Sequence, residues 1–235
     1  MTALNRVLLP TLGSPTIPAD NIRFHLLLQT DNELVKTVFV DIDTQLDFVF
    51  PAGALYVPGA ENLVPRFRQL RDFAAQNRIQ IISTADAHTE NDPEFTIWKP
   101  HCVAGTAGQQ KCADTLLENR VVLSTAPGAL DEIRPRLQNA AQIIVEKQQL
   151  DCFTNPHFRP LLDLIGADRY VVYGVVTEYC VRCAAFGLLE TGKRVELVTD
   201  AIQSLDPAAG NDVLAKFTAQ GGVLQSTERI LAGEY

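Results

Sequence analysis

From Lys36 onward, runs of β-branched and aromatic residues alternate with segments of helical period. KTVFVDID, RIQIISTAD, AQIIVEK, DRYVVYGVV and RVELVTDAI read as buried strands. Residues 59–77 carry Leu63, Val64, Phe67, Leu70, Phe73 and Ala74 at helical spacing, with Pro65 early enough for a first turn. ALDEIRPRLQNA, HFRPLLDLIGA, TEYCVRCAAFGLLETG and DPAAGNDVLAKFTAQG read as further helices, with Gly192 as the expected C-cap of the segment that contains Cys180. This alternation implies right-handed βαβ crossovers. The expected fold is a three-layer α/β/α domain, its sheet mainly parallel, with helices on both faces. Such sheets bind ligands beyond the carboxyl ends of their strands.

The 235 residues fit one such domain with an appendage. Pro10, Gly13, Pro15 and Pro18 break up the start, so residues 1–34 are expected to form an irregular arm and residues 35–235 the domain. Within the arm, Ile22–Gln29 could form a short strand or a helical turn. A net charge of −8 argues against a nucleic-acid partner. No apolar run is long enough to span a bilayer, and Pro10 interrupts the one patch that could serve a signal peptide. A cytoplasmic protein is expected. The five cysteines, odd in number and irregular in spacing, favour reduced thiols. No Gly-x-Gly-x-x-Gly or Walker loop marks a dinucleotide or nucleotide site.

The chemistry-bearing residues gather at the expected strand ends. Cys180 follows DRYVVYGVV and a short VTEY segment, which places it in the first turn of the next helix. There the helix terminus would lower the thiol pKa, and free N–H groups could receive an oxyanion. The plain alternative is a buried structural cysteine. Asp43 ends the first strand and could take the thiol proton, while Lys147 ends AQIIVEK and could hold that carboxylate ionised. Asp41 and Asp47 compete for the role: Asp41 is expected on Asp43's strand face, and Asp47 reads as a capping or pairing residue. Each charge alone could be a solvated strand end; together with Cys180 they favour a nucleophilic site. Asp86, His88 and His101 offer one carboxylate and two imidazoles, a set that suits Zn²⁺, Fe²⁺ or Mn²⁺. Surface histidines are the alternative. Cys180 and Cys183 also make a C-x-x-C, readable as a redox pair or half a zinc site.

Asp43-Thr44-Gln45-Leu46-Asp47-Phe48, Asp86-Ala87-His88, the run Trp98 to Gly108 (WKPHCVAGTAG), Lys147, and Thr177-Glu178-Tyr179-Cys180 follow one another in that order. With them the chain resembles the cysteine hydrolases of the isochorismatase-like superfamily, and within it the metal-dependent nicotinamidases. The likeness spans roughly residues 36 to 227. It implies an Asp43–Lys147–Cys180 catalytic triad acting on a small-molecule amide. It further implies an oxyanion hole from the backbone N–H groups of Val176 and Cys180, with a cis bond at Val175–Val176. One divalent transition metal (Zn, Fe or Mn) would sit on Asp86, His88 and His101 and hold the ring nitrogen of nicotinamide. Phe48 and Trp98 would wall the substrate pocket, with Val175 and Tyr179 beside them. A homo-oligomer is implied by analogy. The chain departs from the family pattern at Ala87, where a tryptophan is common, and at Glu178, where Asp is familiar. QQLDCFTNP is also shorter than the usual aromatic-bearing loop. Two other readings stand beside this one. The same triad could act on another small amide or ureide of the N-carbamoyl type, or Cys180 and Cys183 could serve a non-catalytic or redox protein.

Overall fold

Seven strands form one sheet in the order β3-β4-β2-β1-β5-β6-β7, and every pairing is parallel. The computed structural model describes residues 35–233. The expected N-terminal arm, with its candidate strand or turn at Ile22–Gln29, lies outside the described residues. The strands are β1 (Thr37–Ile42), β2 (Gln80–Asp86), β3 (Arg120–Leu123), β4 (Gln142–Lys147), β5 (Arg169–Val175), β6 (Arg194–Gln203) and β7 (Val223–Gln225). The five expected strands are all present and make the centre. The two that the pattern missed, β3 and β7, are the short edge strands.

Six helices cover the sheet: α1 (Val64–Gln76), α2 (Ala129–Leu137), α3 (Phe158–Ile165), α4 (Arg182–Leu189), α5 (Pro207–Ala219) and α6 (Thr227–Leu231). Residues of α1 and α6 pack with Phe39, Ile81 and Val171 on one face. Residues of α2 to α5 pack with Val38, Val40, Ile143 and Val172 on the other. Alternate residues of β1, β2, β5 and β6 therefore feed two different cores, which is why these strands read as continuous apolar runs. Helix α1 shows the logic locally. Phe67, Leu70 and Ala74 recur at helical spacing and are buried, while Pro65 sits in the first turn, where its missing N–H is harmless. Burying Phe67 and Leu70 contributes about 2 kcal/mol each. Helix α4 ends earlier than expected. Its C-cap is Glu190, and Gly192, at φ 73°, belongs to the turn that follows.

The chain lays β2 on one side of β1 and later starts β5 on the other. Strand order reverses there, so a crevice opens beyond the carboxyl ends of β1 and β5. Gly174 permits the close approach of these strands. It sits at φ 123°, and a Cβ there would lie 2.1 Å from the Ile42 carbonyl oxygen. Gly174→Ala is expected to destabilise the protein by about 3 kcal/mol. Equilibrium urea unfolding checks this; an unchanged midpoint would show that the strands tolerate a side chain at their crossing.

Candidate active site

Lys147 ends β4 directly opposite Asp86 at the end of β2, because the two strands pair in that register. Asp43 follows β1 on the next strand over. The Lys147 ammonium lies 2.9 Å from Asp43 Oδ2, bonds Asp86 Oδ1, and lies 3.6 Å from Cys180 Sγ. All four side chains are buried, Lys147 at 1% exposure. Burial alone would lower the lysine pKa, yet Asp43 and Asp86 hold it well above the usual range. For Asp86, burial alone would raise the carboxyl; Lys147, His101 and His88 together bring it well below the carboxylate range.

Cys180 lies in a π-helical turn, Thr177–Val181, that leads into α4. The helix terminus was expected to lower its thiol pKa. The structure overturns this: burial pushes the Cys180 thiol well up, Lys147 pulls against it, and Asp43 adds to the rise. A fully desolvated sulfur loses more hydration as thiolate than a helix terminus returns. The resting group is therefore a thiol. The Val175–Val176 peptide bond is cis, as the resemblance implied. Val176 and Cys180 both line the cleft described below. All five cysteines are free, Cys180 buried and Cys183 half-buried.

Asp43 is also placed differently from expectation. Its backbone is left-handed, φ 46°, and its side chain leaves the face that Asp41 occupies. Asp41 accepts a bond from Ser83, whereas Asp43 accepts one from Thr84. Adjacent residues of a strand point to opposite faces, so the two aspartates serve opposite sides of the sheet. Asp47 is structural, accepting bonds from the backbone N–H groups of Cys102 (2.7 Å) and Ala54 (2.9 Å).

Asp86, His88 and His101 converge, their ligand atoms all within 4.8 Å of one another. Both Nε2 atoms lie 3.8 Å from Asp86 Oδ2. His101 Nδ1 bonds the Lys99 carbonyl at 2.7 Å, which makes it the protonated nitrogen and leaves the Nε2 lone pair facing the group. His88 Nδ1 faces Asp92 at 3.1 Å, and its buried Nε2 makes no hydrogen bond. A carboxylate, two converging imidazoles and the two buried, unbonded nitrogens of His88 fit a divalent cation. Gln45 holds Asp86 in place, accepting from its N–H at 2.7 Å and donating to its carbonyl at 2.8 Å.

A cleft opens over Cys180, Asp86 and His101. The four pocket candidates, Phe48, Trp98, Val175 and Tyr179, all line it, with Trp98 and Tyr179 edge to face at 5.3 Å. Leu55, Val57, Leu150, Leu205 and Glu94 line it too and escaped the sequence reading. Of these, Glu94 carried a usable signal, an acid seven residues before His101. Burial raises its carboxyl, and Asp86 adds to the rise. No lysine or arginine stands among the described residues that line the cleft.

Residues 37–229 match the family model of the isochorismatase domain. A nicotinamidase of Escherichia coli (strain K12) is 23% identical over 208 residues, covering 78% of this chain and 91% of that protein. The solved pyrazinamidase of Pyrococcus horikoshii in complex with zinc is 25% identical with a TM-score of 0.68, covering 81% of this chain and 99% of the other. PnC1 from L. infantum in complex with nicotinate is 27% identical with a TM-score of 0.66, covering 83% of this chain and 94% of the other.

Lys147→Met removes the cation shared by two buried carboxylates. It is expected to destabilise the fold by about 3–5 kcal/mol. Urea unfolding in the presence of a chelator reads this, and a shift under about 1 kcal/mol would mean that the carboxylates do not depend on the ammonium.

Proposed function

This chain belongs to the isochorismatase family and is a hydrolase of amide C–N bonds, and we propose that it converts nicotinamide and water to nicotinate and ammonia through a thioester on Cys180. One observation carries the reading. A single buried ammonium touches Asp43, Asp86 and Cys180, and the last two of these line an apolar cleft. That arrangement suits a small, flat, neutral amide. An anionic amide would meet the Glu94 carboxylate and, apart from the divalent ion proposed below, no cation among the described lining residues to pair with.

Asp43 takes the Sγ proton, and Lys147 stabilises the thiolate as it forms. Sulfur attacks the amide carbon, and the carbonyl electron pair moves onto oxygen. The N–H groups of Val176 and Cys180 receive that oxyanion. Protonated Asp43 hands its proton to nitrogen, the C–N bond breaks, and ammonia leaves. Asp43 then takes a proton from water, which attacks the thioester, and Cys180 leaves as thiolate and regains the proton. Asp86, His88 and His101 would hold one divalent ion, zinc, iron or manganese, which when bound supplies a Lewis acid for a ring nitrogen of the substrate. The aromatic walls of Phe48 and Trp98 orient the ring.

Ammonia release from nicotinamide tests the reading. Cys180→Ala is expected to lower kcat by about a thousandfold or more, and Asp43→Asn by about a hundredfold or more. Near wild-type turnover by Cys180→Ala would sink the mechanism. Chelation is expected to abolish release, with Zn²⁺, Fe²⁺ or Mn²⁺ restoring it. His88→Ala and His101→Ala should each lower bound metal, read by elemental analysis of the zinc-loaded protein, by about tenfold or more in affinity. The substrate assignment is separately exposed. An amide bearing a carboxylate, such as maleamate, should show a kcat/KM at least about a hundredfold below nicotinamide. Comparable turnover of an anionic or N-carbamoyl compound would move the assignment to another member of the same reaction class.

A further inference from the structure

Two buried polar networks end on β2, and the mechanism above uses one of them. On the side of the sheet opposite Asp43, the carboxylate of Asp41 pairs with Lys111 at 3.2 Å, both side chains buried. Asp41 also accepts bonds from Thr44 (2.8 Å) and Ser83 (2.9 Å). Gln142 donates to Ser83 at 2.8 Å and to the Thr115 carbonyl at 2.9 Å. A buried ion pair is costly to desolvate, and neither of its residues lines the cleft. Its Lys111 ammonium does reach the backbone of the active-site strand, donating to the Thr84 carbonyl at 3.0 Å.

On the active-site side, Thr84 is tied to Asp43 twice. Its hydroxyl donates to Asp43 Oδ1 at 2.6 Å, and its oxygen accepts from the Asp43 backbone N–H at 3.2 Å. A hydroxyl has one proton, and here that proton is committed to Oδ1. The other carboxylate oxygen, Oδ2, then faces Lys147 at 2.9 Å. The reciprocal pair holds both the left-handed backbone of Asp43 and the direction of its carboxylate. We propose that Thr84 is a positioning residue for the base: it aims Asp43 at the Cys180 thiol, and the rear Asp41–Lys111 pair anchors Thr84 in turn. The proposal rests on the reading of Asp43 as the base that deprotonates Cys180. Misplacing a reacting group by an ångström costs about a hundredfold in rate, so a residue that never touches substrate can carry that factor.

Thr84→Val removes the hydroxyl and keeps the β-branched shape; Thr84→Ser keeps the hydroxyl. With nicotinamide as substrate, Thr84→Val is expected to lower kcat by about 10–100-fold with KM changed by less than about threefold. Thr84→Ser is expected to stay within about fivefold of wild type. A purely structural role would not be rescued by serine, which packs less volume than valine. A second readout needs no substrate. Alkylation of Cys180 by iodoacetamide, resolved from Cys183 by peptide mass spectrometry, should slow by about tenfold or more in Thr84→Val and recover in Thr84→Ser. If Thr84→Val fails to fold by circular dichroism, Thr84→Ala carries the same two measurements. Wild-type kcat and alkylation rate in the valine variant, or equal losses in the valine and serine variants, would overturn the proposal. If wild-type protein releases no ammonia from nicotinamide, the substrate reading fails, and the alkylation rates alone decide the role of Thr84.

Discussion

A single ammonium between two carboxylates organises the carboxyl end of this sheet. Lys147 is fully desolvated, and burial by itself would drive it toward the neutral form. Asp43 and Asp86 reverse that preference, and each carboxylate in turn depends on the shared cation. The arrangement follows from strand order. β4, β2 and β1 are neighbours, so residues at their ends are brought together across two strand spacings. Cys180 approaches from the other side of the switch point, on the turn after β5. The site therefore needs both directions in which the chain winds away from β1.

The same burial sets the chemistry. A thiol held at low dielectric is a weak acid, so Cys180 is held in protonated form, and the proposed mechanism needs a base beside it. The histidines illustrate the complementary case. His101 has its tautomer set by the Lys99 carbonyl, and the lone pair of the opposite nitrogen is thereby directed at Asp86 and His88. An apolar cleft lies over both groups.

Much of this was legible along the chain because its signals are local. Five apolar runs and their intervening helices gave the architecture, since a strand buried on both faces and a helix of period 3.6 leave different marks. The edge strands β3 and β7, four and three residues long, left too short a mark to read. Gly192 was a reasonable cap by type, but the C-cap of helix α4 is Glu190, two residues before it. Asp43, Lys147, Cys180, Asp86, His88 and His101 could be singled out because each stands at an expected strand end or in a motif. Leu55 and Leu205 could not, because they join the cleft through loops whose path no periodicity describes.

The assignment of Asp41 and Asp43 separates the two sources of information most sharply. Strand alternation places them on one face, and the sequence contains nothing to contradict it. The left-handed turn at Asp43 and the hydroxyl of Thr84 send them to opposite faces. By itself the sequence determined the order of strands and helices and the residue types that could do chemistry, because periodicity and side-chain type are properties of neighbouring residues. The tertiary structure decided which carboxylate meets the lysine, how far burial raises the thiol, and which loops close the cleft. Those depend on contacts between residues 33 to 61 positions apart, and on the water that those contacts exclude.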